Sequence, residues 1–147
     1  MALIAPADQE KLREGFAEMT RPVRLVFFTQ TLGCETCLMT RQILDELPPL
    51  SDKIAVDEVN LILDREKAAE YGVDRVPAIA VASVGENGET QDSRIRFVGT
   101  PAGYEFISLV QAVLLVGGRP SSLTGEQRAR LAAVDKPMTL QVFTTPT

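Results

Sequence analysis

The sequence predicts an α/β fold with a central four-stranded mixed sheet flanked by helices. Helical and strand-like patterns follow one another in the order α, βαβ, α, ββ, α over residues 7–118. Two adjacent strand-like segments are joined by the tight-turn sequence Asn87-Gly88, and the last helical stripe stops at Gly117-Gly118. Because helices and sheets bury their apolar faces against each other, this order predicts one layered domain over residues 1–120.

The composition is that of an ordinary globular protein, and it argues against several classes of function. The chain has 147 residues, of which 45% are apolar and 24% are charged, so one sizeable core can form. A net charge of −5 disfavours nucleic acid and anionic membrane surfaces as partners. No basic leader precedes an apolar run, and no run is long enough to span a membrane, so we expect a cytoplasmic protein.

Histidine is absent and cysteine occurs only twice, as Cys34 and Cys37. A four-ligand zinc site therefore cannot be built from the favoured ligands within one chain, and we expect neither a metal nor a cofactor. The Cys–His and Ser–His pairs that activate most hydrolytic nucleophiles are missing as well. We expect any chemistry to depend on thiols or carboxylates.

The first half of the chain predicts a helix, a strand and a second helix. Apolar residues with helical spacing define the first helix: Leu12, Phe16 and Met19. This helix must end before Pro22, and Val23–Thr29 is predicted to be a strand. The second helix ends at Pro48-Pro49 and presents three apolar residues to the core: Met39, Ile43 and Leu47. The two cysteines therefore lie at a helix start.

The second half predicts a strand, a helix, a hairpin and a final helix. The segment KIAVDEVNLIL indicates a largely buried strand, after which Asp64 can cap a helix that ends at Gly72. The segments VPAIAVASV and SRIRFVG are predicted as hairpin strands, with Asn87-Gly88 in a type I′ turn. The final helix carries a continuous apolar stripe: Phe106, Leu109, Val110, Val113 and Leu114.

The C-terminal segment repeats the pattern of the first strand. Thr124 and Gln127 predict a capping box for a short helix, after which KPMTLQVFT matches RPVRLVFFT at its basic residue, proline, leucine, phenylalanine and threonine. We interpret residues 121–147 as a linker helix and the opening strand of a truncated second unit. The alternative is a strand that extends the first sheet. An unpaired strand over residues 138–144 would favour a homodimer through this segment.

The spacing Cys34-Glu35-Thr36-Cys37, between a strand and a helix, is the motif that carries chemistry. One helical turn separates the two sulfurs and places them within bonding distance, and the helix N-terminus offers unpaired amides that favour a thiolate. We expect Cys34 to be the exposed attacking thiol and Cys37 the resolving thiol. Because Glu35 opposes the effect of the amides, we expect a reductant or an isomerase.

Three other interpretations of the two cysteines compete with this one. A structural disulfide would close a ring of only four residues and would seldom stay oxidised in the cytoplasm. A metal or cluster site would require two chains to share four thiolates. Two buried, inert cysteines are the third alternative. The strand-turn-helix context favours redox chemistry over all three.

The dipeptide Val76-Pro77, at the entrance to the predicted third strand, is the second informative feature. Proline cannot donate to a sheet ladder, so this position suits an edge or an irregular entry. A cis bond there would turn the preceding backbone outward, whereas a trans proline in a turn is the more common state of such bonds.

Three segments together resemble the thioredoxin/glutaredoxin fold: CETC at a helix start, YGVDRVPAIAV after the third helix, and the hairpin that leads to FVGTPAGYEF. More narrowly, the chain resembles the first unit of the tandem glutaredoxin-like protein disulfide oxidoreductases, whose second unit opens with a strand similar to LQVFTTPT. The resemblance implies that Cys34 is the nucleophile, that Cys37 is the resolving thiol and that Pro77 is a cis-proline facing them.

The resemblance also implies a substrate groove beside the cysteines. In this family the backbone of Val76 would pair with an extended substrate peptide, which is a form of strand addition. Gly99 and Thr100, on the loop after the last predicted strand, would border the same groove.

The sequence departs from the thioredoxin pattern around the cysteines. Thioredoxins usually have a tryptophan before the first cysteine, and here Gly33 occupies that position. Phe28 occupies the position at which thioredoxins carry a buried acid. Proton transfer from Cys37 must therefore use water or another carboxylate, for which Glu58 is one candidate.

The favoured function is the reduction or isomerisation of protein disulfides through a Cys34–Cys37 dithiol-disulfide cycle. Its partners would be protein disulfide substrates and an upstream reductant such as a thioredoxin-reductase-like flavoprotein. An electron-relay domain of a peroxide-reductase system is one alternative, although the first unit of that tandem module commonly lacks its cysteines. A non-catalytic docking module that keeps the fold for strand pairing is the other.

Overall fold

The computed structural model describes residues 2–145, and within them the helices and strands follow the predicted order. Met1, Pro146 and Thr147, which belong to the two predicted domains, lie outside the described residues. The helices are α1 (Pro6–Phe16), α2 (Cys37–Asp45), α3 (Arg65–Glu70), α4 (Tyr104–Val116) and α5 (Gly125–Ala132). The strands are β1 (Val23–Thr29), β2 (Ile54–Asn60), β3 (Ala78–Val84) and β4 (Thr90–Val98).

The four strands form one mixed sheet in the order β2-β1-β3-β4. Strand β1 runs parallel to β2, with Val23 opposite Ile54, and antiparallel to β3. Strand β4 completes the sheet as an antiparallel edge. The predicted fold class is confirmed: an α/β fold in which a four-stranded mixed sheet is flanked by helices.

Apolar residues cover the two faces of the sheet in separate clusters. The larger cluster packs α1, α2 and α4 against one face, where Leu25 and Phe27 of β1 are completely buried. The smaller cluster contains their neighbours Val26 and Phe28 and packs against Ala68 of α3 on the other face. Because successive side chains of a strand point to opposite faces, β1 is buried on both sides at the centre of the sheet.

Strand β2 is less buried than its apolar composition predicts. It forms one edge of the sheet, and its buried residues are Ile54 and Val59. The prediction of a largely buried strand is therefore wrong. An edge strand can keep charged side chains near solvent, and here Asp57 and Glu58 each form an ion pair with an arginine of a neighbouring element.

Most helix boundaries follow the signals in the sequence. The capping box of α5 forms both of its hydrogen bonds, between Thr124 and Gln127. Asp64 occupies the N-cap position of α3, as predicted, but its side chain makes no capping hydrogen bond. Met19 is buried although it lies beyond the end of α1. The periodic pattern therefore marked core residues correctly but extended the first helix too far.

The β3–β4 hairpin has a different turn from the predicted one. A type I′ turn requires a positive φ at both central residues, yet within this loop the positive φ occurs at Gly88, at 77°, and Asn87 has a negative φ. The Gly85 N–H donates to the Glu89 carbonyl oxygen at 2.8 Å, which leaves a three-residue loop between the strands. The hairpin is confirmed and its predicted turn type is wrong.

Arg96 of β4 connects the edge of the sheet to the end of α3. Its guanidinium donates to both carboxylate oxygens of Asp92, at 2.8 and 2.6 Å, and twice to the Tyr71 carbonyl oxygen, at 3.1 and 3.0 Å. Its guanidinium carbon also lies 5.3 Å from the centre of the Tyr71 ring. The hydrogen bond from Arg96 holds the pKa of the Asp92 carboxyl below its usual value, whereas burial raises the pKa of Tyr71.

We expect the Arg96→Ala substitution to lower the free energy of unfolding by about 1 to 2 kcal/mol at neutral pH, because it removes charge-assisted hydrogen bonds that are only partly exposed. The folded-state pKa of Asp92 is depressed. The stabilisation from its ion pair is therefore present above the ordinary carboxyl pKa and is lost as the pH falls through the folded-state value. The difference between wild type and variant should shrink below about pH 4.

Urea unfolding at several pH values measures this effect. The Arg75→Ala variant is a suitable control, since Arg75 forms an exposed ion pair with its neighbour Asp74, and we expect a change within about 0.5 kcal/mol. Equal losses in the two variants would show that the contacts of Arg96 with Asp92 and Tyr71 contribute nothing specific.

Over residues 133–145, the segment after α5 is exposed and belongs to neither edge of the sheet. Residues 138–145 form no strand within the described part of the chain, and the side chains of Met138, Leu140, Val142 and Phe143 are largely exposed. The alternative in which this segment extends the first sheet is therefore wrong. The truncated second unit over residues 121–147 stays a prediction. Among the helices described over residues 2–145, none has the length and apolar character needed to cross a membrane.

Candidate active site

The two cysteines lie where the central strand β1 passes through a loop into helix α2. Gly33, directly before Cys34, has a positive φ of 73° that suits glycine. Thr36 is the N-cap residue and Cys37 is the first residue of the helix. The backbone therefore turns sharply before Cys34 and enters the helix at Cys37, so both cysteines sit at the carboxyl end of β1.

Cys34 and Cys37 are joined by a disulfide, with their Cα atoms 5.5 Å apart. Their exposure differs, because Cys34 is partly exposed and Cys37 is only 5% exposed. Cys37 belongs to the larger core cluster, and Cys34 packs against the edge of that cluster. A bond between one accessible and one buried sulfur can exchange with a substrate only through the accessible one. The disulfide contradicts the alternative of two separate, inert thiols.

The predicted groove residues Val76, Pro77 and Gly99 lie close together on the chain that enters and leaves the β3–β4 hairpin. The Val76-Pro77 peptide bond is cis, as the resemblance implies. The Gly99 N–H donates to the Pro77 carbonyl oxygen at 2.9 Å, which joins the loop after β4 to the start of β3. The Val76 side chain is half-buried and packs against both core clusters. The role of these three residues in binding a substrate stays a prediction.

Thr100, the fourth predicted groove residue, is tied to the first turn of α2. Its hydroxyl lies 2.9 Å from the hydroxyl of Thr40, which is completely buried. Thr40 in turn donates to the carbonyl oxygen of Thr36, also at 2.9 Å. This chain of hydroxyl contacts fixes the loop after β4 against the helix that carries Cys37. Sequence reasoning found Thr100 through the resemblance but missed its partners, Thr40 on α2 and Thr36 at the N-cap of that helix.

A polar pocket of about 230 Å³ opens beside the disulfide, between α2 and β2. Both sulfur-bearing residues and an ion pair between Arg41 and Glu58 line it. The other lining residues come from the end of β1, the following loop, α2 and the end of β2: Thr29, Gln30, Thr31, Leu38 and Asn60. The sequence suggested Glu58 as a proton acceptor but missed Arg41, whose signal was its position four residues after Cys37 on the same helix face.

The pocket contains charged and polar groups but nothing arranged as a metal site. Within residues 2–145, no group of three or more His, Cys, Asp or Glu side chains is placed to hold a metal ion. The arrangement instead offers a dithiol-disulfide pair with a carboxylate and a guanidinium nearby. Such a set can transfer two electrons to another disulfide, or accept two electrons from another dithiol, while protons move to nearby groups.

The fold and the cysteine pair together define a thioredoxin-fold protein with a redox-active disulfide. A curated protein of Methanothermobacter thermautotrophicus named "Probable Thioredoxin" is 37% identical over 78 residues, which cover 52% of this chain and 80% of that protein. The chain belongs to the thioredoxin family. No family model matches the chain.

Two solved structures extend the likeness over most of the chain. The NTD_N/C domain of alkylhydroperoxide reductase AhpF from Enterococcus faecalis has a TM-score of 0.78 at 26% identity and covers 90% of this chain. A protein disulfide oxidoreductase from Aeropyrum pernix has a TM-score of 0.74 at 26% identity and covers 88% of this chain. The chain spans only 62% of the first protein and 54% of the second. The likeness therefore concerns part of each relative.

Proposed function

We propose that the chain is a protein disulfide oxidoreductase that reduces or isomerises disulfides in other proteins. The observation that carries this proposal is the disulfide itself, in which a partly exposed Cys34 is bonded to a buried Cys37 at the start of α2. A thiol pair of this kind can accept a bond from a substrate at one sulfur and pass it to the other. Because thiols are kept reduced in the cytoplasm, that compartment suits a reductant of this kind.

In the reducing direction, the Cys34 thiolate attacks one sulfur of the substrate disulfide. A mixed disulfide forms and the other substrate sulfur leaves as a thiolate. Cys37 then loses its proton, attacks the Sγ atom of Cys34 and releases the second substrate thiolate. Two electrons and two protons pass from the enzyme dithiol to the substrate, and the enzyme is left with the Cys34–Cys37 disulfide. An external thiol, supplied by a small dithiol or a flavoprotein reductase, restores the dithiol.

The start of β3 and the loop after β4, which are joined by a hydrogen bond, would both border the proposed substrate groove. The backbone N–H and C=O of Val76 make no backbone hydrogen bond with another residue in the described part of the chain. They are therefore free to pair with an extended peptide, as in strand addition. Gly99 and Thr100 would border the same groove, since Gly99 is bonded to Pro77 and Thr100 contacts Thr40 of α2.

Reduction of insulin by dithiothreitol tests the proposal. We expect the wild type to accelerate the appearance of turbidity severalfold and the Cys34→Ser variant to give only the background rate. The Glu89→Gln variant, changed in the exposed β3–β4 loop, should match the wild type. If wild type and Cys34→Ser both give the background rate, the reductase proposal is wrong, and an electron relay or a docking module without catalysis is left.

A second candidate function is an electron relay in a peroxide-reductase system. The likeness to the AhpF domain, which covers 90% of this chain, supports it. In that case the Cys34–Cys37 pair would pass electrons from a flavoprotein to a peroxide-reducing partner. An assay with a purified flavoprotein and peroxiredoxin distinguishes the relay from a general reductase. It measures the peroxide-dependent consumption of a nicotinamide cofactor with and without this protein.

We propose that residues 1–120 form one complete unit and that residues 121–147 begin a second one. The matched regions of the two solved relatives amount to little more than half of each chain, which leaves room for a second unit there. The exposed apolar side chains of Leu140, Val142 and Phe143 support the proposal, since such a run needs a covering partner. A homodimer through this segment is the competing arrangement.

A further inference from the structure

We infer that the Arg41–Glu58 ion pair controls the proton of the resolving thiol Cys37. In this inference Glu58 accepts that proton and Arg41 positions the carboxylate. The inference rests on the proposed disulfide exchange, and it adds the group that makes the second step of that exchange fast. Neither residue belongs to the Cys-x-x-C motif or to the proposed substrate groove.

The geometry places both side chains next to the cysteines. Arg41 follows Cys37 by four residues on α2, so the two side chains lie on the same face of the helix. Glu58 is paired with Phe27 in the sheet register, and Phe27 packs in the cluster on the α2 face. Since paired residues of neighbouring strands point to the same face, Glu58 also points toward α2. The pair that they form lines the same pocket as Cys34 and Cys37.

The resolving step needs a proton acceptor at this place. Cys37 is buried in an apolar cluster, and such surroundings disfavour the thiolate that must attack Cys34. Phe28, near the end of β1, is fully buried between apolar neighbours and cannot accept a proton. The charged residues that line the pocket with the two cysteines are Arg41 from α2 and Glu58 from β2. Glu35, next to Cys34 in the sequence, is exposed.

The proton and electron movements can be written so that they balance. While the mixed disulfide joins Cys34 to the substrate, the Cys37 thiol gives its proton to the Glu58 carboxylate, directly or through one water. The Cys37 thiolate attacks the Sγ atom of Cys34, and the bond between Cys34 and the substrate breaks. The leaving substrate thiolate takes up a proton from the protonated Glu58 or from solvent. Arg41 is a positioning residue, because it acts on the sulfur through Glu58.

Arg41 is suited to this role by its remaining hydrogen-bonding capacity. It uses one terminal nitrogen for Glu58, and its Nε atom is buried without a hydrogen-bond partner among residues 2–145. A guanidinium has five N–H donors, so it can hold a carboxylate and still offer a donor to another anion.

A second ion pair on the same strand provides a matched control. Asp57, directly before Glu58, pairs with Arg24 of β1 at 3.3 Å and has a similar exposure. Because neighbouring residues of a strand point to opposite faces, the Arg24–Asp57 pair lies on the α3 face of the sheet, away from the cysteines. One pair joins β2 to β1 and the other joins β2 to α2. If both pairs were purely structural, removing either carboxylate would affect disulfide exchange in the same way.

The experiment follows the two steps of exchange separately with a dipyridyl disulfide. One chromogenic thiol is released when Cys34 attacks and a second when Cys37 resolves the mixed disulfide. For the Glu58→Gln variant we expect the first phase to be unchanged and the second to slow by about tenfold to a hundredfold near neutral pH, as for loss of a general base. The second phase should recover at alkaline pH, where hydroxide can remove the proton.

The control variants separate the possible outcomes. We expect the Asp57→Asn variant to match the wild type in both phases, Arg41→Met to slow the second phase, and Arg41→Lys to restore part of the loss. The Glu58→Gln and Asp57→Asn variants should unfold at similar temperatures, which excludes misfolding as the cause of the slower second phase. If the second phase of Glu58→Gln equals that of Asp57→Asn at every pH, the inference is overturned. If the wild type releases no thiol at all, the proposed function fails instead.

Discussion

Replacing Cys37 with serine should convert the protein into a covalent trap for its substrates. Cys34 is the more accessible sulfur and can still attack a disulfide. Without the Cys37 thiol, however, the mixed disulfide has no internal route to resolution. We expect turnover of insulin to fall to the background rate, while one substrate adduct per chain accumulates.

To measure this outcome, the protein is mixed with a disulfide peptide and the products are separated without reducing agent. Mass spectrometry then detects the adduct. The Cys34→Ser variant is the matched control, because it keeps one cysteine but leaves it only 5% exposed. It should form little or no adduct. Equal trapping by the two single variants would contradict the assignment of Cys34 as the attacking thiol and Cys37 as the resolving thiol.

The second large effect concerns stability, and we expect it from the Phe27→Ala substitution. Phe27 has 0% exposure and lies on the central strand β1, between the backbones of β2 and β3. Removing a buried phenylalanine side chain typically lowers the free energy of unfolding by about 3 to 5 kcal/mol, because apolar contacts are lost and a cavity remains. That loss would be a large fraction of the total stability of a domain of this size.

Chemical denaturation of the reduced protein measures the loss as a shift in the unfolding midpoint. The Val98→Ala variant serves as a control on the same sheet, because Val98 is largely exposed at the end of β4. We expect it to change the free energy of unfolding by no more than about 0.5 kcal/mol. Similar midpoints for the two variants would contradict the placement of Phe27 in the core.

The order and type of the elements could be predicted from the sequence because each has its own local signal. Helical spacing, strand-like runs, prolines and glycines marked the elements of the first 118 residues. Burial was harder to predict, because it depends on neighbours that are distant in the chain. Strand β2 has an apolar sequence but lies at the sheet edge, and Met39 has core spacing on α2 but is about half exposed.

The same difference between local signals and contacts with distant residues applies to the candidate site. Cys34 and Cys37 could be identified because the motif and the helix that carries it are contiguous in sequence. The resemblance supplied Pro77 and Thr100, and the contact of Thr100 with the cysteine helix arises only through the fold. The Arg41–Glu58 pair depends on the register between β1 and β2 and on the packing of α2 against that face. Neither the register nor the packing of α2 is encoded in any short stretch of residues.

The hydroxyl contact between Thr40 and Thr100 has a consequence for selectivity. It fastens one wall of the proposed groove to the helix that bears the reactive sulfur, and a wall fastened in this way resists widening of the opening. A cleft that resists widening favours disulfides carried on flexible or unfolded chain, which can thread into it, over those locked inside compact domains.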